Sequence, residues 1–236
     1  MKLAIPSLSE YLDGFIGLFY PRLCLACRET PTIKGELTCI RCQYELEIDD
    51  AYLEKENEIT RRFWGRIPLE AGATMYYFNK GGKVRTLIHQ LKYHNQYQIG
   101  VEFGKVFGKK LIQTTHFQAI DCIVPVPLHP KKERKRGYNQ SEAIAKGLSE
   151  TMLKPYFADG VKRTLHLKSL TKKNRDERFK SIENAYEVKK AKRLKGKHIL
   201  LVDDVLTTGA TMEACARKIL ELPDTKLSVV VIACGN

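Results

Sequence analysis

The chain has 236 residues, 43% hydrophobic and 28% charged, which excludes wholesale disorder and suits one large domain, or a medium one with a small appendage. Forty Lys and Arg against 27 Asp and Glu give a net charge of +13, favouring polyanionic partners such as nucleic acid, phosphorylated metabolites or an anionic membrane. No run approaches the roughly 18 apolar residues of a membrane span, and nothing marks export, so the expected compartment is the cytoplasm.

Near the start, Leu8, Tyr11, Leu12, Phe15, Ile16 and Phe19 fall at helical spacing. They predict a short amphipathic helix packed on the protein rather than a membrane-surface anchor. Glu10 and Asp13 interrupt the apolar character that a secretory signal would need. Next, Cys24, Cys27, Cys39 and Cys42 read C-x2-C-x11-C-x2-C. Two such knuckles offer four thiolates to a tetrahedral Zn2+, with a short hairpin turning near Gly35 between them. A disulfide is the weaker reading in a reducing compartment. A thioredoxin-like pair is weaker still, being normally single and opening a helix. Closed by four ligands, the zinc site would be structural, its binding energy folding a segment too small to fold alone. Cys122, Cys215 and Cys234 stand in apolar surroundings and are expected as small buried hydrophobes.

The polar stretch after the cysteines suggests a division into an N-terminal helix and four-cysteine module over 1–50, a linker over 51–72 and a larger domain over 73–236. In that domain the patterns predict strands at 73–78, 122–126, 161–167, 198–202 and 227–233, and helices at 81–95, 97–113, 139–154 and 212–222. Apolar strands alternating with amphipathic helices define the α/β class, a parallel sheet flanked by helices.

The most informative stretch is HILLVDDVLTTGAT, residues 198–211. A buried strand reaches its carboxyl edge, where open α/β sheets bind ligands, and there meets Asp203 and Asp204. Gly209 allows a tight turn whose N–H groups point inward. Thr207, Thr208 and Thr211 add hydroxyls, and the following helix adds its positive dipole end. Such a turn suits a phosphate monoester, and paired acceptor-only carboxylates suit a cis-diol. The simpler reading, a strand terminus followed by a helix cap, does not require this whole order. Neither a Walker loop nor a G-x-G-x-x-G turn is present.

This stretch resembles the phosphoribosyl pyrophosphate (PRPP) motif of type I phosphoribosyltransferases. VPVPLHPKKERKRGYNQ, residues 124–140, resembles the hallmark of the ComF/ComFC family, competence-associated proteins of naturally transformable bacteria. A double-CxxC zinc-ribbon-like module ahead of a transferase-like domain belongs to the same family. The resemblance implies that Asp203 and Asp204 hold the ribose hydroxyls and act as the catalytic acids. It implies that Leu206, Thr207, Thr208, Gly209, Ala210 and Thr211 cradle the 5-phosphate. Leu128, His129 and Lys131 would form the pyrophosphate loop. Arg136 and Tyr138 of the RGYNQ signature, with Arg175 and Arg178 of a mobile lid at 171–186, would supply the lid and basic patch. Mg2+ would accompany PRPP.

The charge excess is focal. Residues 131–136 carry a net +4 and residues 161–197 a net +10, so the remaining chain sums to −1. Tyr93, Tyr97, Tyr138, Phe179 and Tyr186 are interleaved with cations, a combination that single-stranded DNA sites use. Lys189–Lys197 reads equally as such a track or as a solvated turn. The resemblance thus implies a ComFC-like protein that binds PRPP and handles incoming single-stranded DNA in natural transformation, with other competence proteins such as a DNA-uptake helicase as partners. The alternative is an active phosphoribosyltransferase on an unidentified acceptor, without a DNA role.

Overall fold

The computed structural model describes residues 17, 19–32, 36–46, 48–78, 82–92, 96–164 and 185–235. It divides into two compact units, Met1–Glu47 and Ile48–Asn236. In the smaller unit the chain folds around its cysteines. Leu23 and Pro31 form an antiparallel bridge, and the Thr32 N–H donates to the Arg22 carbonyl at 2.8 Å, closing a loop around the first pair. Arg28, just past Cys27, turns the chain with φ +61°. The second pair flanks the start of helix α1 (Ile40–Glu45), with Cys39 at its N-cap and Cys42 buried. The expected turn near Gly35 and the helical residues Leu8 to Ile16 lie outside the described residues.

In chain order the larger unit comprises α2 (Glu58–Arg61), β1 (Ala71–Phe78), α3 (Lys83–Lys92), α4 (Tyr97–Leu111), α5 (Thr115–Gln118), β2 (Cys122–Pro125), α6 (Pro130–Arg136), α7 (Gln140–Met152), β3 (Val161–Arg163), β4 (Tyr186–Val188), α8 (Ala191–Leu194), β5 (His198–Leu206), α9 (Ala210–Leu220) and β6 (Lys226–Gly235). Four strands form one sheet in the order β1-β6-β5-β2, and every pairing is parallel. β3 and β4 pair antiparallel beside it.

The continuous apolar run of β5 follows from cover on both faces. Ile199 and Leu201 pack in one core with Val229, Val231, and Met212, Cys215 and Ile219 of α9. Leu200, Val202 and Val230 alternate to the other face, where α7 lies against β5 and β2. Helix α4 packs on α7 through glycines: a Cβ at Gly147 would stand 1.9 Å from the Val101 carbonyl oxygen, and one at Gly104 2.1 Å from that of Ile144. Cys122, Cys215 and Cys234 are buried.

Three elements differ from the sequence expectation. Residues 51–72 are not a linker but part of the larger unit. Asn57 caps α2, its Oδ1 accepting from the Ile59 and Thr60 N–H groups, while Nδ2 donates to the carbonyls of Ala51, Glu54 and Gly72 at 2.7–2.9 Å. Ile59, Phe63 and Ile67, four residues apart, are buried in the same core as α9. Their short stripe is hidden in sequence among the charges that face solvent. Strand β5 runs past both acids to Leu206 because β6 continues beside it, Asp203 opposite Val231 and Leu206 opposite Cys234. The cationic segment after the predicted strand 122–126 forms a helix, α6, with Pro130 in its first turn and Gly137 ending it at φ +87°.

Gly147 meets backbone, which cannot swing aside. Gly147→Ala is expected to lower stability by about 3 kcal/mol or more despite its gain of about 1 kcal/mol in helix propensity. The denaturation midpoint measures this, and an unchanged midpoint contradicts the helix crossing.

Candidate functional site

The carboxyl ends of β5 and β2 bring four segments together. Asp203 and Asp204 sit near the end of β5, partly buried. The Ser141 hydroxyl, in the first turn of α7, donates to Asp203 Oδ1 at 2.8 Å, and the Asp204 N–H donates to the same oxygen at 2.9 Å. Lys92, the last residue of α3, lies 3.3 Å from Asp204 Oδ2. Asn139 ties α7 to the neighbouring strand: Nδ2 donates to the Val126 carbonyl at 3.1 Å and Oδ1 accepts from the Ser141 N–H. Burial, and then the charge of Asp204, push the Asp203 carboxyl up to about 7, against the Ser141 and Asp204 donors and Lys92.

The turn after β5 is held from behind. Gly209 has φ +76°, and a Cβ there would stand 3.1 Å from the Phe63 ring. The Arg62 guanidinium donates to the Thr207 carbonyl at 3.4 Å and the Arg66 guanidinium to the Thr208 carbonyl at 3.4 Å. Arg66 Nε also donates to Glu213 Oε2 at 2.8 Å, and Arg217 Nη2 to Glu213 Oε1 at 2.8 Å. Burial alone would raise the Glu213 carboxyl, but Arg217 and Arg66 outweigh it and hold it below the usual range. A neutralised acid in the first turns of α9 leaves the helix dipole able to receive an anion. The N-cap of that helix is Gly209, which has no side chain to cap it. Thr207, Thr208 and Thr211 are exposed, so their hydroxyls line the turn. Leu206, by contrast, is buried; its side chain belongs to the core, and only its backbone reaches the site.

At the end of β2, His129 caps α6, its Nδ1 accepting from the Lys131 N–H at 3.2 Å. Burial and the cations Arg163, Lys131 and Lys132 lower its pKa, so the ring is neutral near pH 7. Nδ1 being an acceptor, the proton sits on Nε2, a donor for an anionic oxygen. Leu128 is half-buried and Lys131 exposed. Arg163, at the end of β3, stacks over Tyr186 of β4 at 5.6 Å, and its Nε is buried without a hydrogen-bond partner among the described residues.

Several expected ligand-facing side chains turn out to be packed inward. Tyr138 is buried, its hydroxyl donating to the Leu91 carbonyl and its ring edge-on to Tyr97 at 5.6 Å. Tyr186 is 3% exposed. Neither offers a stacking face; an aromatic near cations in sequence was buried by periodicity that the charges obscured. Arg136 ends α6, away in sequence from the expected lid. Arg175, Arg178, Phe179 and Tyr93, like 171–184 as a whole, lie outside the described residues. In the basic tail Lys189 pairs with Glu187 at 2.6 Å and Lys190 with Asp159 at 3.0 Å, so part of its charge is spoken for. Sequence reading missed Arg62, Phe63, Arg66, Lys92 and Ser141. The spacing Glu58, Arg62, Arg66 with buried Phe63 between was the available signal.

In the smaller unit the Sγ atoms of Cys24, Cys27, Cys39 and Cys42 lie within 4.8 Å of one another, and those of Cys27 and Cys39 are 4.0 Å apart. This cluster could hold a metal ion. Backbone N–H groups of Glu29 and Thr30 bring the Cys27 thiol down to about 6, favouring the thiolate that a metal requires.

Residues 132–234 match the phosphoribosyl transferase domain family. A parallel sheet with this acid-and-turn edge and that match define a protein built on a phosphoribosyl transferase domain. Curated relatives include the DNA utilization protein YhgH of Escherichia coli (strain K12), 30% identical over 57% of this chain and 60% of its own length. Competence protein F of Haemophilus influenzae is 26% identical over 61% of this chain and 64% of its own. Competence protein ComFC of Bacillus subtilis (strain 168) is 34% identical over 50% of this chain and 42% of its own. The chain thus spans less than two thirds of the length of these relatives. Its similarity to competence protein F and competence protein ComFC supports the resemblance to the ComF family. No helix among the described residues is long and apolar enough to cross a membrane.

The raised Asp203 carboxyl keeps a proton that the unfolded chain releases near 3.8. Its contribution to stability is full below that value and is lost as pH rises through about 7. Asp203→Asn, which cannot ionise, is expected to flatten this fall in the ligand-free thermal midpoint between about pH 4 and about pH 7. An unaltered slope contradicts the assignment.

Proposed function

We propose that the chain binds PRPP at the carboxyl edge of its larger sheet and handles incoming single-stranded DNA in natural transformation. The observation that carries the first half is the unbroken element Asp203–Thr211: two adjacent acids on a strand end, then an exposed threonine turn opening a helix with glycine at its N-cap. Asp203 and Asp204 would accept from the ribose hydroxyls, and Thr207 to Thr211 would hold the 5-phosphate. His129 Nε2, Lys131 and Arg163 would face the diphosphate. The residues also suit Mg2+, which when bound would neutralise diphosphate charge. Asp203 and Asp204 are the hard oxygen donors here. Lys92 already engages one Asp204 oxygen, which favours an ion held chiefly by substrate and water.

The names of the relatives, competence protein F and DNA utilization protein, support the second half, as does the net +13. Other competence proteins, including a DNA-uptake helicase, would be its partners. The four cysteines suit a structural Zn2+: tetrahedral bonds of about 2.3 Å put sulfurs about 3.8 Å apart, compatible with the 4.0 Å between Cys27 and Cys39.

Calorimetry with PRPP and Mg2+ tests the ligand. Asp203→Asn and Asp204→Asn are each expected to weaken binding about tenfold or more in a folded protein, and unchanged affinity overturns the reading. Affinity for a single-stranded oligonucleotide is expected to fall steeply with salt; no binding at low salt removes the DNA half. Elemental analysis is expected to find about one zinc per chain, lost in Cys39→Ser. A reduced, fresh preparation without zinc refutes that assignment.

A further inference from the structure

We infer that Trp64 and Arg61 form a stacking platform for the unpaired bases of single-stranded DNA, on the segment that backs the turn Thr207–Gly209. This rests on the DNA half of the proposed function and gives it a location.

Binding single strands without sequence preference takes an exposed aromatic ring beside cations, since every base has a face to stack. Tyr138 and Tyr186 are buried, and Tyr97 packs between Tyr138 and Lys146. Among the described side chains of the larger unit, Trp64 is the exposed large aromatic, 61% accessible. A ring of that size left in water forgoes substantial apolar burial, and a partner that covers it recovers that energy. The Arg61 guanidinium lies 5.9 Å from the ring centroid and is itself exposed, ready to meet a phosphate while holding the indole.

The segment that carries the platform is anchored. Phe63 is fully buried against Gly209. Arg62 pairs with Glu58 at 3.0 Å, Arg66 pairs with Glu213, and both guanidiniums hold the turn through its carbonyls. Gly65 follows at φ +69°, and Trp64 is left exposed. The backbone on either side of the ring is thereby fixed before binding, which lowers the ordering cost. The clasp takes the carbonyl side of the turn and leaves its N–H side to Thr208, whose Oγ1 accepts from the Ala210 N–H, and to a phosphate ligand. DNA and PRPP are expected to bind together rather than compete.

Trp64 is the sole tryptophan of the chain, so indole emission reports this position alone. The full-length protein is titrated at low salt with a labelled oligo-dT, following label anisotropy and indole emission together. The emission is expected to be quenched in step with binding, and inorganic polyphosphate of equal charge to bind without quenching. Trp64→Ala is expected to weaken oligo-dT binding about tenfold, Trp64→Phe to restore most of it, and PRPP affinity to stay unchanged in both. Oligo-dT binding with unaltered emission, or with full affinity in Trp64→Ala, overturns the platform while leaving the DNA reading intact. No oligo-dT binding at any salt concentration overturns both.

Discussion

A carboxylate at the margin of an apolar sheet is expensive to keep, and the binding edge is organised around keeping one. Asp203 follows Val202, a residue with no exposure at all, and burial alone pushes its carboxyl towards neutrality. The compensation comes from three directions. Ser141 reaches it from the start of α7, the Asp204 N–H folds back onto it, and Lys92 at the end of α3 balances the neighbouring charge. Each of these fixes a segment: α7 against β5, α3 against the sheet edge, and through Asn139 the end of β2 as well. The demand of one buried acid thereby sets the relative positions of the elements that line the site.

A second arrangement works from the other side. The turn at Thr207–Gly209 is backed by residues 58–66. Phe63 fills the space that a side chain at position 209 would need, and Arg62 and Arg66 take the carbonyls. The near-complete burial of Glu213 between Arg66 and Arg217 makes this more than a surface ion pair. Removing either arginine would leave a buried charge poorly compensated. A phosphate-binding turn so held loses little freedom when a ligand arrives.

The charge distribution takes on a more definite form. Helix α6 displays its cations on an exposed surface, with no buried residue along its length. In the basic tail, Lys189 and Lys190 are engaged by Glu187 and Asp159. Their attraction for a polyanion is reduced accordingly. The cation joined to an exposed ring is instead Arg61, beside Trp64, since Arg62 and Arg66 are engaged by Glu58 and Glu213.

Hydrophobic periodicity alone determined the α/β class, because β5 and β6 are apolar on both faces and only a sheet covered twice can bury them. The order Asp203 to Thr211 was legible for the same reason, since a strand end, two acids and a glycine turn are contiguous and need no folding to be seen. The cysteine spacing likewise announced a four-thiolate cluster. What tertiary structure decided is everything that depends on partners distant in sequence. Residues 51–72 read as a linker because Ile59, Phe63 and Ile67 are few among charges, and only their contact with α9 reveals a stripe. Tyr138 read as a ligand-facing aromatic until the Leu91 carbonyl claimed its hydroxyl. Local sequence carries the chemistry of a side chain, but whether that side chain faces a ligand or the core is set by what packs against it.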